Sequence, residues 1–218
     1  MLGMLSSGLR AALATCLLCG LLYPLAVNGL AQALLPFQAN GSLVRGADGA
    51  IIGSRLIGQH WDGPEWFHGR PSATTDIDPN DATGTVPAAY NAASSMGSNL
   101  GPTSKALMDR LMSDRKALEQ AQPELAGKLL PADMLTASAS GLDPDITPGD
   151  ALLQASPVAR ARGAALEAIE ALVETHVAGR DLGVFGEPRV NVLALNLALL
   201  HAYPNAPGPP REGKRDSR

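Results

Sequence analysis

The sequence predicts an α+β protein: one N-terminal transmembrane helix followed by a single loop-rich extracytoplasmic domain. Three observations carry this reading. No charged residue occurs between Arg10 and Arg45. Gly, Pro, Ser and Asn crowd residues 40–103, and aromatic residues make up only 4% of the chain, which disfavours a large sheet sandwich. Beyond residue 103, apolar residues recur at helical spacing. The layout is a cytoplasmic leader over 1–10, a transmembrane helix over 11–35 and an extracytoplasmic domain over 36–203. A disordered tail is expected over 204–218, where Pro, Gly and charge predominate.

A helix needs about 20 apolar residues to cross a bilayer core about 30 Å thick, and residues 11–35 exceed that. With no water in the core to satisfy backbone groups, helix is the only form open to a single segment. Arg10 and the N-terminal amine, with no acid beside them, place the N-terminus in the cytoplasm and the rest of the chain outside, and Arg45 beyond the span weakens this bias. Ala31-Gln32-Ala33 has the small-x-small form of a cleavage site, so a cleaved signal peptide is the rival reading. The apolar run is longer than a signal h-region of about 7–15 residues, and the anchor is read as retained. Pro24 predicts a kink. Cys16 and Cys19, the only cysteines, lie inside the span, so the exported domain holds no disulfide. Their C-x-x-C spacing is read as small apolar residues within lipid.

The domain is mildly acidic. All 21 Asp and Glu lie beyond Arg45, where they outnumber Lys and Arg by six, a balance that argues against nucleic acid. In chain order, Leu43-Val44 and Ala50-Ile51-Ile52 flank Ala47-Asp48-Gly49 and predict a β-hairpin. Leu56-Ile57 leads into an aromatic loop, His60 to Phe67. Residues 103–122 predict a helix with Leu107, Leu111 and Leu118 on one face and Asp109, Arg110, Asp114 and Arg115 largely off it. Thr147-Pro148-Gly149-Asp150 is a helix start, with Thr as cap, Pro at the first position and the acid able to bond back. After Pro157, Val158, Leu166, Ile169, Leu172 and Val173 form one stripe to about His176, with Gly179 as the stop. Residues 189–203 are apolar, and their spacing does not decide between strand and helix.

Catalytic chemistry finds little footing. Ser138-Ala139-Ser140-Gly141 lacks the G-x-S-x-G elbow, so an exported hydrolase using Ser140 is only an alternative. His60, Asp62, Glu65 and His68 lie in a loop interrupted by Gly63 and Pro64, and no metal site is expected. No G-x-x-x-x-G-K-[ST] occurs. A membrane-anchored binding module using Trp61, Trp66 and Phe67 as a stacking platform is a further alternative. Three Gly/Asn/Pro-dense segments remain, at 58–73, 90–102 and 138–148. They read equally as self-bonded loops or as a rigid recognition surface.

These segments resemble the C subunit of the bacterial potassium-importing P-type ATPase, the Kdp system. The resemblance is collinear over nearly the whole chain. It runs through Leu56-Ile57-Gly58-Gln59, Gly69-Arg70-Pro71-Ser72-Ala73, Tyr90-Asn91 and Gly97-Ser98-Asn99-Leu100-Gly101-Pro102. It continues in Thr136 to Pro144 and in Gly186-Glu187-Pro188-Arg189-Val190-Asn191-Val192-Leu193. The chain departs by carrying Ser95-Met96-Gly97 where the family commonly has Ser-Gly-Gly. The resemblance implies a non-catalytic, single-pass subunit bound to a channel-like potassium-translocating subunit and an ATP-hydrolysing P-type subunit. Its role would be a catalytic chaperone that raises the ATP affinity of the hydrolysing partner. It implies no cofactor of its own: ATP is bound chiefly by the partner, and potassium is the transported ion. Arg70, Asn99, Asp143, Arg189 and Asn191 are expected to hold the loops together or meet the partner. Ser94, Ser95, Gly97, Ser98 and Asn99 are the candidates for nucleotide contact.

Overall fold

The structure is a computed structural model that describes residues 2–204, so the expected tail, apart from Pro204, lies outside the described residues. The chain divides into two units, residues 1–43 and 44–218.

In the first unit, α1 (Leu2–Leu17) runs through a π-helical turn (Leu18–Leu22) into α2 (Tyr23–Leu34), followed by the short α3 (Pro36–Ala39). The 32 residues Gly3–Leu34 have a mean hydropathy of 1.8, and none of this apolar surface is buried within the protein. Helix therefore begins at Leu2, and the expected leader is itself helical. Pro24 leaves its mark one turn earlier: Tyr23 N–H reaches back to Leu18 O. The widened turn accommodates a ring that otherwise clashes with the carbonyl four residues before it. Cys16 and Cys19 are free and exposed on this helix.

The second unit opens with the expected hairpin, β1 (Leu43–Arg45) against β2 (Ile51–Ser54). Its turn has Gly49 at φ +78° and Asp48 accepting Ala50 N–H at 3.0 Å, the aspartate-glycine chemistry that predicts it. A second hairpin follows, β3 (Thr75–Asp78) with β4 (Asp81–Pro87), antiparallel and bulged between Ile77 and Asp78. Then come α4 (Lys105–Ala121), two 3₁₀ turns (Pro123–Leu125, Ala132–Met134), β5 (Asp145–Ile146), α5 (Pro148–Arg162), α6 (Leu166–Thr175), β6 (Val177–Ala178), β7 (Arg189–Asn191) and α7 (Val192–Ala202). The three short strands form an antiparallel sheet with β7 in the middle.

Several boundaries correct the sequence reading. Pro157 lies inside α5, which ends at Gly163 in the left-handed conformation, φ +62°. The stripe read as continuous to His176 is thus split between α5 and α6, and Gly179 stops neither. At the other end of α5, Thr147 Oγ1 accepts Asp150 N–H at 3.2 Å, as expected of a cap. Asp150 does not bond back. Asp133 takes the Thr147 N–H instead, at 2.6 Å. Residues 189–203, left open by the sequence, form β7 and then α7, joined where Asn191 Oδ1 accepts Ala194 N–H and caps α7.

The core of this unit is built from α5, α6, α7, β7 and the aromatic loop: Trp61, Trp66, Phe67, Ile146, Val158, Ile169, Val173, Val190, Leu193, Leu195 and Leu199 are buried. The stacking-platform expectation is overturned here. Trp61 is 2% exposed, Trp66 3% and Phe67 0%, and the indoles pack on each other with centroids 4.9 Å apart. Two carboxamides fix this loop. Asn196, itself fully buried, accepts Phe67 N–H (2.9 Å) and donates to Phe67 O (2.8 Å). Gln154 does the same for the next residue, accepting His68 N–H (2.8 Å) and donating to His68 O (3.0 Å). Consecutive backbone units in a non-sheet loop are thereby paired as a strand neighbour would pair them.

Candidate functional site

The Gly-, Ser- and Asn-rich segments singled out in the sequence interlock into one platform. Ser72 Oγ donates to Gly141 O (2.8 Å) and accepts Tyr90 N–H (3.0 Å). Thr74 Oγ1 donates to Ala88 O (2.5 Å) and accepts Asn91 N–H (3.1 Å). The Tyr90 hydroxyl donates to Arg70 O (2.7 Å), and burial pushes its pKa up. Gly97 and Gly141 allow the backbones to meet. A Cβ on Gly97 would stand 2.7 Å from Ala139 O, and one on Gly141, already at φ +69°, 2.6 Å from Met96 O. Of the two readings left open for these segments, the bonding pattern shows the self-bonded loops.

Four of the five residues expected to structure these loops form one connected network. Arg70 Nη1 donates to Asp143 Oδ2 at 3.0 Å, and its Nη2 reaches Thr136 O (3.4 Å) and Oγ1 (3.3 Å). Asp143 Oδ1 accepts Asp145 N–H (3.1 Å). The Asp145 carboxylate then meets Arg189 Nε at 3.4 Å and Asn191 Nδ2 at 3.0 Å. Burial raises the pKa of Asp145, and the bond from Asn191 opposes that rise. Asn191 Nδ2 also donates to Arg55 O (3.1 Å). Asn99 stands apart, exposed, at φ +54°.

The residues named for nucleotide contact occupy one edge of the platform. Ser94 N–H bonds Asn91 O (2.9 Å), Ser95 Oγ donates to Ser140 O (3.0 Å), Gly97 is buried, and Ser98 and Asn99 are exposed. Ser140 Oγ, the hydrolase alternative's nucleophile, accepts Leu142 N–H at 3.1 Å. His60 pairs with Asp62 at 2.9 Å on an exposed surface.

One feature escaped the sequence reading. Between α4 and the platform lies a cleft of about 500 Å³, lined among others by Gln59, Trp61, Arg70, Tyr90, Arg110, Asp114, Gln122 and Asp150. Arg110 and Asp114 are not off the inner face of α4. Their side chains are 29% and 37% exposed, comparable to a half-buried leucine stripe. A signal existed: Asp114 is three residues after Leu111 and four before Leu118, which places it on their stripe. Asp150 is 1% exposed, and burial pushes its carboxyl up to about 7, against a Gln154 bond that lowers it. Burial holds the neighbouring His68 imidazole below its usual range.

The chain matches the family profile described as "KdpC: K+-transporting ATPase, c chain" over residues 5–201. It is 57% identical over 183 residues to the potassium-transporting ATPase KdpC subunit of Methylobacterium nodulans, covering 84% of this chain and 89% of that one. It is 58% identical over 180 residues to that of Bradyrhizobium diazoefficiens (83% and 88%). With that of Rhodopseudomonas palustris it shares 56% over 187 residues (86% and 92%). A match across nearly the whole chain, through both the apolar helix and the interlocked loops, makes this protein a member of the KdpC family, a subunit of a potassium-transporting ATPase.

Proposed function

We propose that this chain is a non-catalytic, single-pass accessory subunit of an ATP-driven, high-affinity potassium-uptake pump. The observation that carries the reading is the union in one family member of a 32-residue apolar helix with a domain built from interlocked loops. The helix holds the chain in the inner membrane, N-terminus in the cytoplasm, with residues 36–203 in the periplasm. The domain docks on the channel-like translocating subunit and stabilises its assembly with the ATP-hydrolysing P-type subunit.

In this arrangement the subunit acts as a catalytic chaperone, raising the ATP affinity of the hydrolysing partner across the membrane. Two distant sites are coupled when both bias one shared conformational equilibrium. Support for partner contact comes from the loop tip between Asp181 and Phe185, where Leu182, Val184 and Phe185 are 89%, 69% and 65% exposed, an apolar patch on an otherwise polar loop. The exposed edge at Ser98 and Asn99 is the place where direct nucleotide contact would have to occur.

The test is gene deletion followed by growth in micromolar potassium. Full-length chain restores growth, and a version lacking residues 11–35 does not. Purified pump lacking the subunit has a raised KM for ATP. Rescue by the anchorless version overturns the tethering, and an unchanged KM overturns the chaperone role. Protease added to intact spheroplasts cleaves the domain if it lies outside; protection places it inside.

A further inference from the structure

The first hairpin, β1 with β2, turns one face to the core and leaves the other open. The bond from Gly46 N–H to Ala50 O (2.9 Å) sets a register in which Val44 lies across from Ile52 and Arg45 across from Ile51. Val44 and Ile52 pack against the core, so Arg45 and Ile51 lie on the outer face, as alternation along a strand requires. Leu43 shares that face by the same alternation, and Leu56 follows just beyond β2. Leu43 is 37%, Ile51 53% and Leu56 62% exposed.

Charge distinguishes this face from the rest of the domain. Residues 43–57 hold two arginines and one aspartate, in a chain whose acids outnumber its bases by four. Among the described residues neither arginine forms an ion pair. Arg45 donates to Gly49 O at 3.0 Å. Arg55 senses the Asp145 carboxylate only at longer range, and Arg189 holds the closer place at 3.4 Å. Asp48 is turned to Ala50 N–H within the turn. Guanidinium groups with donors to spare suit phosphate oxygens, and their apolar stems can lie along a hydrocarbon surface. Apolar side chains interleaved with cations are the composition of an element that lies on a membrane.

Chain connectivity names the occupant. Eight residues separate the end of α2 at Leu34 from Leu43, and four of them are helical in α3. The chain can therefore carry Leu43 no more than about 25 Å from the end of the apolar helix. If that helix crosses a bilayer, the lipid surface is the one partner always within this reach. A face tethered so closely needs little affinity of its own, because the tether supplies a high effective concentration.

We propose that the outer face of the first hairpin rests on the bilayer surface, with Leu43, Ile51 and Leu56 at the boundary of headgroups and acyl chains and Arg45 and Arg55 on anionic headgroup phosphates. The domain is then held to the membrane at two points, the span and the hairpin, instead of swinging on the linker. This rests on the membrane-spanning reading of the helix given above.

The experiment uses the full chain with Cys16→Ser and Cys19→Ser, reconstituted in nanodiscs of equal parts phosphatidylcholine and phosphatidylglycerol. Single spin labels are placed at Ile51→Cys on the hairpin, Leu21→Cys in the span and Asn80→Cys on the acidic turn between β3 and β4. Spin-label saturation by oxygen, which partitions into lipid, and by a water-soluble nickel chelate reports the depth of each. The expected result is a label at 51 at least about threefold less open to nickel than the label at 80, in line with an interfacial position. Adding Arg45→Gln and Arg55→Gln, or using phosphatidylcholine alone, returns about half of that protection, because surface attraction scales with basic residues and anionic lipid. A label at 51 as open to nickel as that at 80, with the label at 21 in lipid, overturns the proposal and leaves the span intact. Protection at 51 that arises only in the assembled pump makes this face a subunit contact and overturns it as well. Protection indifferent to both arginines and to lipid charge overturns the headgroup contacts. A label at 21 open to nickel overturns the spanning helix and, with it, this inference.

Discussion

Two regions of the second unit, the clamped aromatic loop and α4, are held in place in different ways. On the core side, the buried amides of Asn196 and Gln154 are matched group for group with the backbone of Phe67 and His68. On the α4 side, no residue of the helix is buried, and Arg110 Nε and the Gln122 oxygen just beyond its end have no protein partner. The i,i+4 pairs along α4 (Lys105–Asp109, Arg115–Glu119) add only about 0.3–0.5 kcal/mol each. Fold stability is thus concentrated in the clamped loop and the glycine platform rather than in α4.

The sharpest test of that contrast is Asn196→Leu. It leaves a buried N–H and C=O of Phe67 unpaired, with an expected loss of about 4 kcal/mol in denaturant unfolding of the full chain, read by tryptophan fluorescence. Next is Asp150→Asn. The folded carboxyl titrates at about 7 against an ordinary 3.8, so between those values the folded chain holds a proton that the unfolded chain has released. Stability then falls as pH rises from about 4 to 7 and levels off above. Removing the charge gives a variant about equal to the parent at pH 4 and about 2–3 kcal/mol more stable at pH 8, since a shift of about three units is worth at most ~4 kcal/mol. A parallel pH profile for the two proteins would place the Asp150 charge in water. Gly141→Ala forces a side chain into a left-handed backbone against Met96 O, with an expected loss of about 2 kcal/mol in the same assay. Leu111→Ala, on the half-buried stripe of α4, is expected to cost under ~1 kcal/mol. A loss comparable to that of Asn196→Leu would abolish the contrast between the two sides.

Much of this layout was readable from residue order because it depends on local chemistry. The apolar run, the Asp48-Gly49 turn and the Thr147-Pro148 cap each need only their near neighbours. The stripe from Val158 to about His176 looked unbroken because apolar spacing resumes after Gly163, which ends α5 by reaching a left-handed cap without cost. The destination of Asp150 was hidden because Asp133, fourteen residues before Thr147, took the Thr147 N–H that Asp150 was expected to accept. The aromatic loop looked like a binding surface until two distant carboxamides, Gln154 and Asn196, turned it inward. Arg70, Asp143, Arg189 and Asn191 stood out in the sequence as loop-holding or partner-facing groups, and their joining through Asp145 depends on the register of β5 on β7. The cleft was missed for the same reason: its walls come from segments about 50 residues apart, and no local pattern declares a gap.

The π turn at Leu18–Leu22 carries a consequence for anything that packs along this apolar helix. One extra residue per bulge rotates the following side chains by about 100° relative to an uninterrupted helix. A ridge that starts on the N-terminal half is therefore carried to a different azimuth on the C-terminal half. A straight companion helix cannot follow one seam along the entire rod; it must cross over near Pro24, or two companions must share the length between them.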